Sequence, residues 1–252
     1  MSPFPERAGP EPDAAGRSGS LAAVAAPEAR ETPASAEDRP ARAPGAFAAD
    51  RVRSRPALIL GAGGGVAKAL ARGLTGEGRD LVLAGRDAAG LARDAADLSL
   101  RFGVGVRVAA WEARRLGSAG ALWDSLTPAP DLVICCVGAP EPPAAHAGDP
   151  GALREAFETN LLGPVQAAAE ICERLADLRA RTGGAATYVG FGSVAGVRGR
   201  AVNWPYGAAK AGLDAALSGL RQRHARGGPL VVTVRPGRVA TRLTEGLGGP
   251  PV

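Results

Sequence analysis

From Pro56 onward the chain alternates two kinds of segment. Short, largely apolar runs, Ala57–Leu60, Leu81–Ala84, Val104–Ala109, Leu132–Val137, Ala185–Val189 and Leu230–Val234, end in glycine or a polar turn. Apolar runs of this length suit strands of a parallel sheet buried on both faces. Between them lie longer Ala/Leu/Arg segments with helical spacing, which predict helices over about 65–77, 87–101, 113–126, 150–181 and 203–226. Strand and helix in alternation predict an α/β fold, a Rossmann-type doubly wound parallel sheet with right-handed crossovers. Six runs predict six strands in one domain, residues 56–252.

Residues 1–55 break this pattern. They hold eight prolines and few apolar side chains larger than alanine, with no period long enough to bury a face. Such a segment does not offset its ordering entropy, so a disordered Ala/Pro/Arg-rich tail is expected. Its eight arginines balance eight acidic residues, unlike a basic arm for nucleic acid. The net charge of +5 therefore lies in the remainder, where 22 basic residues face 17 acidic ones. That modest excess reads as solvated surface around an anionic-cofactor site, with no nucleic-acid partner. No run is long enough for a transmembrane helix, and no apolar h-region follows the N-terminus. Cys135, Cys136 and Cys172 form no disulfide framework or zinc pattern, and with only His146 and His224 no metal site is expected. A cytoplasmic location is the expectation.

Two places carry candidate chemistry. The first strand runs into Gly61-Ala-Gly-Gly-Gly65-Val-Ala67, a glycine turn that opens a helix. Gly61 lets the chain turn off the strand, Gly65 lets backbone approach a pyrophosphate, and Ala67 lets the helix pack on the sheet. Helix N–H groups then face the anion. Gly61, Gly63, Gly64, Gly65 and Val66 are the candidate cofactor residues of this turn. At the second strand's end an apolar residue stands where NAD readers place a carboxylate, and Arg86 follows at once, which favours NADP with NAD as the alternative. Asp87 reads as the N-cap of the next helix.

The second place lies after the fifth run. Of 30 basic residues only Lys68 and Lys210 are lysine, and Tyr188 and Tyr206 are the only tyrosines. Yet Tyr206 and Lys210 stand at i and i+4, which shares a helix face. An ammonium beside a phenol lowers its pKa from near 10, making it a usable proton donor to a carbonyl under hydride attack. Ser193 precedes Tyr206 by thirteen residues. Upstream, Pro164 stands four residues after Asn160 and offers its carbonyl no N–H, which leaves a free acceptor or a simple kink.

Together these residues resemble the short-chain dehydrogenase/reductase family over about residues 56–245. The resemblance rests on Gly61/Gly65/Ala67, Asn160 in Glu158-Thr-Asn-Leu-Leu-Gly, Ser193, Tyr206, Lys210 and the Arg235-Pro236-Gly237-Arg-Val239-Ala-Thr241 run. It implies an NAD(P)-dependent oxidoreductase acting between alcohol and carbonyl. Tyr206 would be the acid/base, Lys210 would tune it and hold the nicotinamide ribose, Ser193 would bind the carbonyl, and Asn160 would support a water relay. Gly138, Tyr206, Lys210, Pro236, Gly237, Val239 and Thr241 would line the cofactor. The loop holding Arg198, Arg200 and Asn203 is similar to that of decaprenylphosphoryl-2-keto-erythro-pentose reductases, which implies a keto-sugar substrate. The resemblance also implies a homodimer or homotetramer, built on alanine-rich faces of helices 150–181 and 203–226. Three departures stand against it. The family's Asn-Asn-Ala-Gly is Cys135-Cys136-Val137-Gly138, an acid near the adenine is met only by Glu112 in a shifted register, and the run after Thr241 is too short for a substrate lid and a seventh strand. A nucleotide-binding, catalytically weak scaffold is the alternative.

Overall fold

Strand β1 (Ala57–Leu60) is fully buried and lies between two neighbours, β2 (Leu81–Gly85) and β4 (Leu132–Cys135). The computed structural model describes residues 55–140, 143–237 and 239. With β3 (Val106–Ala110), β5 (Thr187–Phe191) and β6 (Leu230–Val234) these strands make one all-parallel sheet in the order β3-β2-β1-β4-β5-β6. The winding direction reverses between β1 and β4, which opens a crevice at the carboxyl ends of those two strands. The side-chain period of two divides β1 between two cores. Ala57 and Ile59 join Ala67, Ala71, Leu91 and Leu98 under helices α1 (Gly65–Gly76) and α2 (Ala88–Phe102). Leu58 and Leu60 join Val133, Ile171, Leu175, Leu213 and Leu217 on the other face, under α6 (Gly163–Thr182) and α7 (Trp204–Arg223).

Several boundaries move from their predicted places. β4 stops at Cys135, two residues early: the Cys136 N–H makes the last bond of the ladder, to the Leu60 carbonyl at 2.9 Å, and β1 ends at Leu60. β5 slides to Thr187–Phe191, and β3 starts at Val106 because Gly105 donates its N–H to the Asp80 carboxylate. Helix 113–126 shrinks to α3 (Ser118–Asp124), after a loop that ends in left-handed Gly117 (φ +83°). A short α4 (Pro143–His146) stands in the loop that held no predicted element.

The largest difference concerns helix 150–181, which is three pieces. α5 (Pro150–Phe157) runs into one π-helical turn, Glu158–Leu162, before α6 begins. The Gly163 N–H reaches back five residues to the Glu158 carbonyl, while Pro164 has no N–H to give. Close packing also holds the junction. A Cβ on Gly163 would lie 2.5 Å from the Ala113 carbonyl oxygen. The alanine-rich face expected at an interface is corrected in part: Ala167 and Ala168 are buried in the core, and only Ala169 of that triplet is exposed. On α7, by contrast, Ala208, Ala211, Ala215 and Gly219 are exposed along one side.

Among the described residues the sheet ends at β6, whose first residue, Leu230, is 59% exposed. The tail, Thr241 and the segment read as too short for a lid lie outside the described residues. No described helix is long and apolar enough to cross a membrane.

Candidate active site

The crevice at the strand ends is a cavity of about 420 Å³. Its floor is the turn from β1 into α1. Gly61 adopts φ +75°, and a Cβ there would lie 3.1 Å from the Val137 backbone nitrogen, so both conformation and space call for glycine. A Cβ on Gly63 would meet nothing within 4 Å, which leaves open room over the turn. Gly64 caps α1 without a side chain, and no acidic residue stands in the helix's first turn. The first N–H groups of α1 are thus available to an anion. Gly61, Gly63 and Gly64 line the cavity; Gly65 and Val66 start the helix beside it and are not among its lining residues.

Arg86 and Asp87 line the cavity at the end of β2. Asp87 does act as the N-cap of α2, accepting the Gly90 N–H at 2.8 Å. Arg86 is 71% exposed and stands 3.6 Å from Glu112. The acid sought after the third strand is therefore in the cavity wall, with Trp111 beside it. The pairing of Gly85 with Ala110 is the reason, since it brings the two chains out of the sheet side by side. The sequence reading missed another pair on this wall, Lys68 with Asp94 at 3.0 Å. The rarity of lysine was the one signal that pointed to Lys68. Among the described residues the buried indole N–H of Trp111 has no hydrogen-bond partner. A nucleotide fits this donor set: open space over backbone N–H groups, two cations at the rim and an aromatic wall.

At the other end, α7 starts with Pro205 in its first turn and carries Tyr206 half-buried and Lys210 only 2% exposed. Lys210 Nζ lies 5.7 Å from the centre of the Tyr206 ring, within cation–π range. Its protons go to two backbone carbonyls, Val137 at 3.1 Å and Phe191 at 2.8 Å. The ammonium thus ties the end of β5 to the loop after β4. Burial pulls its pKa down to about 8, a fall that Cys135, Asp214 and Cys136 partly oppose.

Gly138, Asn160 and Lys210 converge. A Cβ on Gly138 would lie 3.5 Å from Lys210 Nζ and 3.8 Å from Asn160 Oδ1. Asn160, 1% exposed in the π turn, accepts the Ala139 N–H at 2.9 Å and donates to the Ala156 carbonyl at 3.0 Å. Both hydrogen bonds make its side chain a brace between the turn and the loop after β4. Ser193 is buried and accepts the Ala195 N–H at 3.1 Å, capping a short 3₁₀ turn, Val194–Gly196. That turn rests on α7 backbone: a Cβ on Gly196 would lie 2.9 Å from the Ala211 nitrogen. Pro236 accepts the Val194 N–H at 3.3 Å, which brings the Pro236-Gly237 segment to the same end, with Val239 beyond it.

The remaining candidates are bland. Cys135 and Cys172 are buried free thiols, and burial pushes their pKa values up, that of Cys172 to about 12. Cys136 is half-buried on the cavity wall, its thiol also raised by burial. His146 ends α4 exposed and is not among the residues lining the cavity.

A parallel sheet with a glycine turn at its topological switch and a Tyr–Lys pair on the facing helix is the doubly wound α/β frame, whose ligand crevice lies at the strand ends. A sequence model described as short chain dehydrogenase matches residues 55–249, and the chain belongs to that family. Two uncharacterized oxidoreductases of Mycobacterium tuberculosis are 46% identical over 72 residues, a match spanning 29% of this chain and 29% of theirs. Solved structures share the fold. A bulky-bulky ketone specific alcohol dehydrogenase from Comamonas testosteroni is 22% identical with TM-score 0.68, covering 79% of this chain and 78% of its own. A short-chain dehydrogenase from Sphingobium yanoikuyae, in complex with NADPH, is 23% identical with TM-score 0.67, covering 75% and 73%. An alcohol dehydrogenase from Thermococcus sibiricus, complexed with 5-hydroxy-NADP, is 22% identical with TM-score 0.64, covering 79% and 82%.

Proposed function

We propose that this chain is an NADP-preferring oxidoreductase that interconverts a carbonyl and an alcohol. The observation that carries the reading is the buried ammonium of Lys210 over the Tyr206 ring, beside a cavity with an anion-binding helix end. The nicotinamide supplies the hydride when bound. Gly61, Gly63 and Gly64 leave room for the diphosphate, and α1 N–H groups hold it. Arg86 takes the 2′-phosphate, exchanging Glu112 for a stronger anion; Asp87 is already committed to capping α2 and is a poor ribose ligand. Lys210 favours the phenolate of Tyr206, so that Tyr206 gives its proton to the carbonyl oxygen more readily. The Ser193 hydroxyl orients that oxygen. Asn160 fixes the loop carrying Gly138, and its own carbonyl, which Pro164 cannot engage, remains an acceptor for water. Pro236, Gly237 and Val239 flank the nicotinamide.

NADPH-bound and NADP-derivative-bound neighbours support the cofactor choice. The substrate is a small ketone or alcohol, a keto-sugar in the finer reading, which rests on the Arg198, Arg200 and Asn203 loop. The exposed alanines of α7 support a homodimer. Oxidation of NADPH against a panel of ketones and keto-sugars tests the activity. Tyr206→Phe is expected to lower turnover at least about 100-fold while leaving NADPH affinity nearly unchanged. Retention of most of kcat would refute the assignment, and NADPH binding without turnover of any substrate would favour a catalytically weak scaffold.

A further inference from the structure

One carboxylate outside the set above stands where three parts of the site meet. Asp214 follows Lys210 by one helical turn on α7, so both side chains leave the same side of the helix. Its side chain is 14% exposed and forms an ion pair with Arg235. Gly192 abuts it: a Cβ there would lie 2.3 Å from Asp214 Oδ1 and 3.5 Å from the Val234 carbonyl oxygen. The ends of β5 and β6 therefore meet α7 at this carboxylate, one residue before Ser193 and two before Pro236. Oδ1 is buried and, among the described residues, accepts no hydrogen bond. Burying a charge half-paired is costly, and an apolar side chain would fill the space at less cost. The negative charge itself calls for a reason.

We propose that Asp214 is a positioning residue of the active site: it holds the Arg235-Pro236-Gly237 turn through Arg235, and its charge keeps Lys210 in the ammonium form. The proposal rests on the reading of Tyr206 and Lys210 as the proton-transfer pair. The groups facing Lys210 can be named element by element. α7 supplies Tyr206 and Asp214, β4 and the loop after it supply the Cys135 and Cys136 thiols and the Val137 carbonyl, and β5 supplies the Phe191 carbonyl. The π turn supplies the neutral Asn160. Asp214 is the one carboxylate in this set. Burial pulls the Lys210 ammonium toward neutrality, and Asp214 opposes that pull. Arg235 competes for the same carboxylate. Removing the carboxylate and removing its competitor must therefore move Lys210 in opposite directions.

The chain's scarcity of lysine makes this measurable. Protein labelled with ¹³C at lysine Cε gives two side-chain signals, and Lys68→Arg assigns them. Asp214→Asn is expected to lower the Lys210 titration midpoint, and Arg235→Gln to raise it, each by about half a unit or more. Both variants are expected to weaken NADPH binding several-fold, because either one frees the turn. A general disturbance of packing moves both midpoints the same way. An unmoved midpoint in Asp214→Asn, or shifts of the same sign, overturns the proposal; should Asp214→Asn not fold, the sign in Arg235→Gln decides. No substrate enters the titration, so an inactive wild-type protein would refute the catalytic reading while leaving this result intact.

Discussion

Replacing Lys210 by methionine keeps most of the aliphatic stem and removes the ammonium, and it isolates what that buried charge does to stability. In the folded chain Lys210 titrates at about 8, against an ordinary 10.5, because burial disfavours its charged form. Between those two values the unfolded chain binds the proton that the folded chain has released. Stability must therefore rise with pH across that window and be lowest below pH 8. Two and a half units at about 1.36 kcal/mol each give a change of about 3 kcal/mol. Other titrating groups, Tyr188 among them, contribute to both proteins and cancel in the difference. Urea unfolding of wild type and Lys210→Met from pH 7 to 10.5 measures it. The wild-type stability minus that of the variant is expected to climb by about 3 kcal/mol over this range. The variant also orphans the Val137 and Phe191 carbonyls, a loss of about 1–3 kcal/mol each that does not depend on pH. A difference that stays flat across the window would refute the account of Lys210 as a buried, charge-penalised ammonium.

Three further outcomes are expected. Arg86→Ala weakens NADP binding by about tenfold or more, the loss of one charge-assisted contact, and leaves NAD binding nearly unchanged, whereas Glu112→Gln frees Arg86 and tightens NADP; calorimetric titration with both cofactors checks it, and equal effects on NAD and NADP would reduce Arg86 to surface. Gly163→Ala drives a Cβ against the Ala113 carbonyl oxygen, where only backbone can yield, and destabilises the fold by about 1–3 kcal/mol in urea. The chain scatters light as a dimer at micromolar concentration and Ala215→Arg, on the exposed alanine edge of α7, makes it a monomer; a monomeric wild type would contradict the interface.

The central sheet was legible because β1 is buried on both faces, so Ala57–Leu60 reads as an unbroken apolar run, and the edge run Leu230–Val234, interrupted only by Thr233, also has the bounds it has in the fold. Alternation with helices and crossover handedness made the parallel, doubly wound class legible but not the order β3-β2-β1-β4-β5-β6, because more than one doubly wound order obeys both rules. The Tyr206–Lys210 pair was legible for a local reason, since i and i+4 meet on any helix. What sequence left hidden depends on register. Arg86 faces Glu112 because Gly85 pairs with Ala110, and a shift of one residue would have sent that carboxylate elsewhere. Lys68 with Asp94 and Asp214 with Arg235 join residues 26 and 21 apart across separate elements, beyond any local pattern. The break of helix 150–181 was half visible: Pro164 announced a disturbance, but the π turn also needed Gly163 against Ala113, a contact no periodicity encodes. The Ala167-Ala168-Ala169 run misled because successive helix positions differ by about 100°, and side chains of one size give no sign of which faces the core.

The charges around the cavity bear on how an anionic cofactor is admitted. Arg86 and Lys68 are the cations on its wall, and Asp87, Asp94 and Glu112 are its carboxylates. Each cation already has an acidic partner, Glu112 for Arg86 and Asp94 for Lys68, while Asp87 is spent on the α2 N-terminus. The wall is therefore not a reservoir of free positive charge, and its attraction for a dinucleotide comes mainly from the unscreened N–H groups of α1 over an acid-free first turn. A second phosphate at the 2′ position gains only by drawing Arg86 away from Glu112. Both groups lie at the rim, where water screens the pair and holds its worth to about 1 kcal/mol or less, so the exchange costs little. A dianionic phosphate offers Arg86 more charge and more acceptors than one carboxylate does. On the proposed reading, a preference for NADP would be a difference between two ion pairs, the stronger Arg86–phosphate contact less the small cost of leaving Glu112.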